Sequence, residues 1–130
     1  MFQRVDCVRI RVPDLDAGIR FYGEFLGHEL AWRRGNIDAG LRLSASKTEL
    51  VLFTDAGERT NAHPEVDLLV ESADQAVRRL SEGGAHVREG PFDLPVGRCA
   101  VVMDPFGNEL VVLDLSKGLL QTDAHKNVIP

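Results

Sequence analysis

Val8, Ile10 and Val12 alternate with Arg9 and Arg11, the period-two pattern of a strand that buries one face. Pro13-Asp14 interrupts it, and Asp14 or Asp16 stands where a helix cap belongs. Leu15, Ile19, Tyr22 and Leu26 then recur every three or four residues, which predicts a helix with one apolar face. Gly27 stops that helix as a left-handed C-terminal cap. Strands are predicted next at residues 28–34, 37–44 and 48–54, separated by Gly35-Asn36 and Ser46-Lys47 turn chemistry.

The same order then repeats. At constant spacing Val12 matches Val70, Asp16 matches Asp74 and Ile19 matches Val77. After a one-residue gap Gly27 matches Gly84, and Glu49-Leu50-Val51-Leu52-Phe53 later matches Glu109-Leu110-Val111-Val112-Leu113. An ordered succession of apolar, capping and glycine positions is the mark of a duplicated unit. The second copy predicts a strand at 65–70, a helix at 73–82 ending at Gly83-Gly84, and strands near 85–90, 97–103 and 108–114. Each module therefore reads β-α-β-β-β, which places the chain in the α+β class. Module 1 covers about 5–54, a polar linker 55–64, module 2 about 65–114, and a tail 115–130 lies outside the repeat, free to fray or to dock on a partner.

Composition narrows the function classes. A length of 130 residues with 44% hydrophobic and 27% charged side chains fits one soluble globular domain. No apolar run is long enough to span a membrane. Charges interleave through the opening MFQRVDCVRIRV, so no secretory segment is read there and the cytoplasm is the expected location. A net charge of −5 with scattered arginines argues against nucleic acid as a partner and mildly favours cationic ligands. Cys7 and Cys99 stand far apart without a CxxC spacing and read as free buried thiols.

Asp14-Leu15, Phe21-Tyr22 and Leu26-Gly27, followed much later by Asp104-Pro105-Phe106-Gly107-Asn108, resemble the opening and closing motifs of the vicinal oxygen chelate superfamily. The resemblance covers about residues 5–114. It implies two tandem βαβββ modules forming a curved mixed sheet with helices on the outer face, commonly in a homodimer. That superfamily includes glyoxalases, extradiol dioxygenases, fosfomycin-modifying enzymes and metal-free antibiotic-binding proteins similar to bleomycin resistance proteins, so the fold leaves the function open.

In metal-using members the ligands lie on the first and last strands of each module. The resemblance places those positions at Cys7 and Val51 in module 1, and at Glu65 and Val111 in module 2. Valine has no lone pair, and a thiol with a single carboxylate suits neither hard nor soft ions. The expected reading is thus a protein without a cofactor that binds a small organic ligand in the sheet cavity or at a dimer groove, with drug sequestration as one use of that architecture. Its pocket is read as Cys7, Arg9, Trp32, Val51, Glu65, Asp67 and Val111, because alternation puts Arg9 and Asp67 on the faces of Cys7 and Glu65. The alternative is a glyoxalase-like lyase or isomerase, or a dioxygenase, holding one divalent metal ion through Glu65 with Glu49 or Glu109. His63 is a further stand-in for Glu65. Each residue also has a plainer role. Cys7 reads as a small core hydrophobe, Glu65 and Glu109 as solvated charges, Trp32 as core, and His28 and His86 as surface residues at strand starts.

Overall fold

The computed structural model describes residues 1–58, 65–103, 105–106 and 109–130. Its strands are β1 (Arg4–Arg11), β2 (Glu29–Arg34), β3 (Asp38–Arg42), β4 (Glu49–Phe53), β5 (Glu65–Leu69), β6 (His86–Leu94), β7 (Gly97–Met103) and β8 (Glu109–Leu113). The helices are α1 (Leu15–Gly18), which runs on into a π-helical stretch Ile19–Phe25, and α2 (Ala73–Glu82). The chain divides into two compact units, Cys7–Glu65 with Leu120–Pro130 and Met1–Asp6 with Val66–Leu119. No helix among the described residues is long and apolar enough to cross a membrane.

In the unit of the first module the strand order is β2-β3-β4-β1, with β1 parallel to β4 and the other pairs antiparallel. Val8, Ile10 and Val12 point to one face, where they join Ala39, Leu41, Leu50 and Leu52 beneath Leu15, Ile19 and Tyr22. The Asp14 carboxylate accepts from the Asp16 amide at 3.1 Å, so Asp14 is the cap. Gly18 sits where an added Cβ would meet Val12 and Leu52 at 3.1 and 3.2 Å, which lets the helix approach the sheet closely.

The helix departs from the regular α-helix that the spacing predicts. After one α turn it widens, and the Leu26 amide donates to the Phe21 carbonyl, five residues back. That extra residue per turn rotates the last turn outward. Leu26, expected on the buried face, is exposed, and so are Phe21 and Phe25. Gly27 still ends the element with φ +82°.

In the unit of the second module the order is β5-β8-β7-β6, with β5 parallel to β8. Val70, Ala73, Ala76, Ala85, Ala100, Val102 and Val112 pack on the helix side. Leu94, Cys99, Val101, Val111 and Leu113 form a separate apolar cluster on the opposite face. Ser72 caps α2 through the Gln75 amide at 3.2 Å. The buried Asp114 carboxylate accepts from the amides of Ala73 (2.7 Å), Arg98 (2.9 Å) and Ser116 (3.2 Å) and from the Ser116 hydroxyl (2.6 Å). Burial pushes its pKa up, but these donors outweigh burial and hold it below the ordinary carboxylate value. One side chain thus ties the start of α2 to the ends of β7 and β8. Strand β6 runs to Leu94, past the predicted 90, bridging two register shifts around Glu89.

The tail is ordered rather than frayed. The Arg33 amide donates to the Lys126 carbonyl at 2.8 Å, and the Val128 amide donates to the Arg33 carbonyl at 2.7 Å. At the other end of the chain the Gln3 amide donates to the Leu69 carbonyl at 2.9 Å.

Candidate functional site

Pairing register brings Arg9, Val51 and Trp32 of the first module's pocket residues into one row. Arg9 lies beside Val51, Val51 beside Gly40, and Gly40 beside Trp32. Val8 and Ile10 occupy the helix face, so alternation puts Arg9 on the other side. A bulge between Leu30 and Trp32 lets Leu30 join the helix-side core while Trp32 turns to the row.

Arg9 is the row's central charge. Its side chain is 5% exposed and that of Glu65 7%, and Nη1 of Arg9 donates to Oε1 of Glu65 at 2.5 Å. The guanidinium also lies over the Phe53 ring, 4.3 Å from its centroid. Glu65 is therefore not the solvated strand-end charge of the plainer sequence reading; it is buried and ion-paired.

Trp32 is half-buried, and its Nε1 donates to Oε1 of Glu49 at 2.9 Å. Its indole lies so close to Gly40 that a Cβ there would clash with Nε1, Cε2 and Cδ1 of the ring. The next row joins Arg11, Phe53, Asp38 and Arg34. Arg34 grips Asp38 with two bonds of 2.9 Å and reaches Glu58 at 3.1 Å. Burial raises the Asp38 pKa, and the Arg34 guanidinium only partly offsets it. Burial pulls Arg34 the other way, yet its contacts with Asp38 and Glu58 outweigh that and raise it.

The remaining candidates distribute as follows. Cys7 is buried in β1 and pairs in register with Glu49. Asp67 and Val111 are register partners in the unit of the second module, both buried, with Val111 inside the apolar cluster of β7 and β8. The structure thus gathers Cys7, Arg9, Trp32, Val51 and Glu65 in one unit and pairs Asp67 with Val111 in the other. His63 and the linker residues 59–64 lie outside the described residues, as do Asp104, Gly107 and Asn108 of the closing motif. Phe53, Gly40 and Arg34 went unread in the sequence. Phe53 sits two residues after Val51 and so shares its face, and a glycine inside a strand often marks close approach.

The profile of the glyoxalase-like domain matches residues 7–113. This chain belongs to the glyoxalase-like domain family. It is a member of the vicinal oxygen chelate superfamily. An uncharacterized protein of Mycolicibacterium smegmatis is 32% identical to the glyoxalase-like chain over 107 residues, covering 82% of this chain and 90% of its own. Among solved structures, methylmalonyl-CoA epimerase from Mycobacterium tuberculosis superposes with a TM-score of 0.67 at 23% identity, covering 87% of this chain and 88% of that one. Streptomyces coelicolor methylmalonyl-CoA epimerase, in complex with 2-nitronate-propionyl-CoA, gives 0.71 at 18% identity, covering 88% and 98%. These likenesses establish the shared fold.

The residues of this glyoxalase-like chain do not fit the metal that the superfamily implies. Val51 and Val111 offer no donor atom, and both are buried. The three carboxylates of the alternative reading are each engaged by a separate donor: Glu65 by Arg9, Glu49 by Trp32, and Glu109 by Arg88 at 2.7 Å. Among the described residues no group of three or more His, Cys, Asp or Glu side chains is placed to hold a metal ion.

Proposed function

We propose that this glyoxalase-like protein binds a small organic molecule without the help of a metal, and that its ligand lies against the sheet face bearing Arg9, Val51 and Trp32. The observation that carries this reading is the Arg9–Glu65 pair. A guanidinium, a permanent cation, is fixed in register beside Val51 and engages Glu65, one of the positions that would hold a metal in relatives. A divalent ion there would have to displace that guanidinium and pay for its desolvation.

What the row holds is a buried cation bonded to Glu65, a buried apolar Val51 and the half-buried indole of Trp32. Those are the elements of a binding pocket for a compact, partly planar molecule: aromatic surface for area, and few polar groups for orientation. Sequestration of an antibiotic or similar compound is the use that this reading favours, since aromatic surface with few polar groups suits capture of such a molecule.

The test has two parts. Elemental analysis of purified protein should find well under one Zn, Ni, Fe or Mn per chain, and one ion per chain would overturn the metal-free reading. Trp32 is the sole tryptophan, so its fluorescence reports on the face directly. Titration with planar aromatic antibiotics should quench it saturably, and Glu65→Gln should weaken that binding at least tenfold. Saturable binding with no change in Trp32 emission would move the ligand elsewhere.

A further inference from the structure

The tail does more than end the chain. Residues 120–130 belong to the compact unit of the first module, although they follow the last strand of the second. They lie along β2, which stands at the edge of its sheet. In an antiparallel ladder a residue directs its N–H and C=O to the same side. At Arg33 both point outward, and the tail satisfies both, through the Lys126 carbonyl and the Val128 amide.

The tail is shaped for that position. The Asp123 carboxylate accepts from the amides of His125 (2.8 Å) and Asn127 (3.0 Å), forming a tight turn. Lys126 adopts φ +65°, a left-handed conformation uncommon for a residue with a side chain. From there its ammonium reaches Oε1 of Glu29 at 2.8 Å and the Leu30 carbonyl at 2.9 Å. The Ile129 amide closes the turn on the Gln121 carbonyl at 2.8 Å.

An uncovered β2 would pair well with itself. Its sequence, Glu-Leu-Ala-Trp-Arg-Arg, carries an acid at one end and two bases at the other. Antiparallel pairing of two copies sets each Glu29 beside the partner's Arg34, a complementary arrangement with two-fold symmetry. In the single chain Glu29 faces Arg42 of β3 at 3.7 Å, and Lys126 adds a second cation at 2.8 Å on the outer side. We propose that the tail is an intramolecular competitor for the β2 edge, and that removing it opens the edge to a second copy of this chain. Exposed strand edges drive such association unless something covers them.

The test compares molar masses by light scattering. A chain ending at Leu119 should show twice the mass of the full-length protein at the same micromolar concentration. Arg33→Pro in that shortened chain should return the mass to the full-length value. It removes the outward N–H without costing a bond to β3, since proline is tolerated on an edge. A folded shortened chain with unchanged mass overturns the proposal. So does a doubled mass that Arg33→Pro leaves intact, because another surface would then be pairing. Should the shortened chain fail to fold, full-length Val128→Pro takes its place. It deletes one of the two backbone bonds to Arg33, must speed amide exchange at Arg33, and is judged by the same two outcomes.

Discussion

Gly40 and Trp32 are a matched pair in which the absent side chain matters as much as the present one. The indole lies too close to Gly40 for any Cβ there, and its Nε1 donates to Glu49. Gly40→Ala should therefore lift the ring, costing about 1–3 kcal/mol as overpacking does. Denaturant unfolding measures that loss, and a red shift in the emission of the sole tryptophan reports the displacement. The Arg9–Glu65 pair makes a different prediction. Arg9→Met leaves a buried carboxylate without its guanidinium and should cost about 3–5 kcal/mol. Arg9→Met combined with Glu65→Leu should recover most of that, since a buried ion pair is worth little against apolar side chains of similar size. A double variant as unstable as the single one would mean that the pair itself, and not the cost of orphaning a charge, holds this part of the sheet.

At the scale of elements, acid should loosen the tail before it loosens the sheets. Asp123 titrates below the ordinary carboxylate value, chiefly through the Asn127 amide, and Glu29 does so chiefly through its hydrogen bond to Lys126. A lowered folded-state pKa contributes stability above the unfolded value and loses it as pH falls through the folded one. Protection of the Arg33 and Val128 amides, taken against their intrinsic exchange rate at each pH, should fall across that acidic window and stay high at neutral pH. Asp123→Asn with Glu29→Gln should abolish the pH dependence. The same scale shows what the sequence made legible. Strict alternation at Val8, Ile10 and Val12 determines which face of β1 meets the helix, and the repeat locates the strands of both modules. The π-helical turn at Ile19–Phe25 was not legible, because its cause is a one-residue slip in hydrogen bonding that leaves the apolar spacing unchanged. The tail's pairing was not legible either. It depends on backbone groups of Arg33 and a left-handed Lys126, neither of which leaves a pattern of hydrophobic residues. In the candidate site the types and faces of Arg9 and Glu65 could be read, but the ion pair could not, since it joins strands far apart in sequence.

For the whole molecule, the boundaries of the repeat are not the boundaries of the folded units. Met1–Asp6 leads into β1 of the first module and includes its first residues, yet it belongs to the unit of the second, and the tail makes the reverse exchange. Deleting residues 1–6 should therefore speed amide exchange around Leu69, whose carbonyl loses the Gln3 amide, while Arg33 stays protected. Faster exchange confined to the first module would contradict that division. The exchange of ends also bears on how the protein yields to force. Tension applied through the C-terminus falls first on the two backbone bonds at Arg33 and on the lysine seated at Glu29. The tail is held to the sheet by few bonds, so under such load it should act as a mechanical fuse, peeling away and lengthening the chain before the four-stranded core behind it is strained.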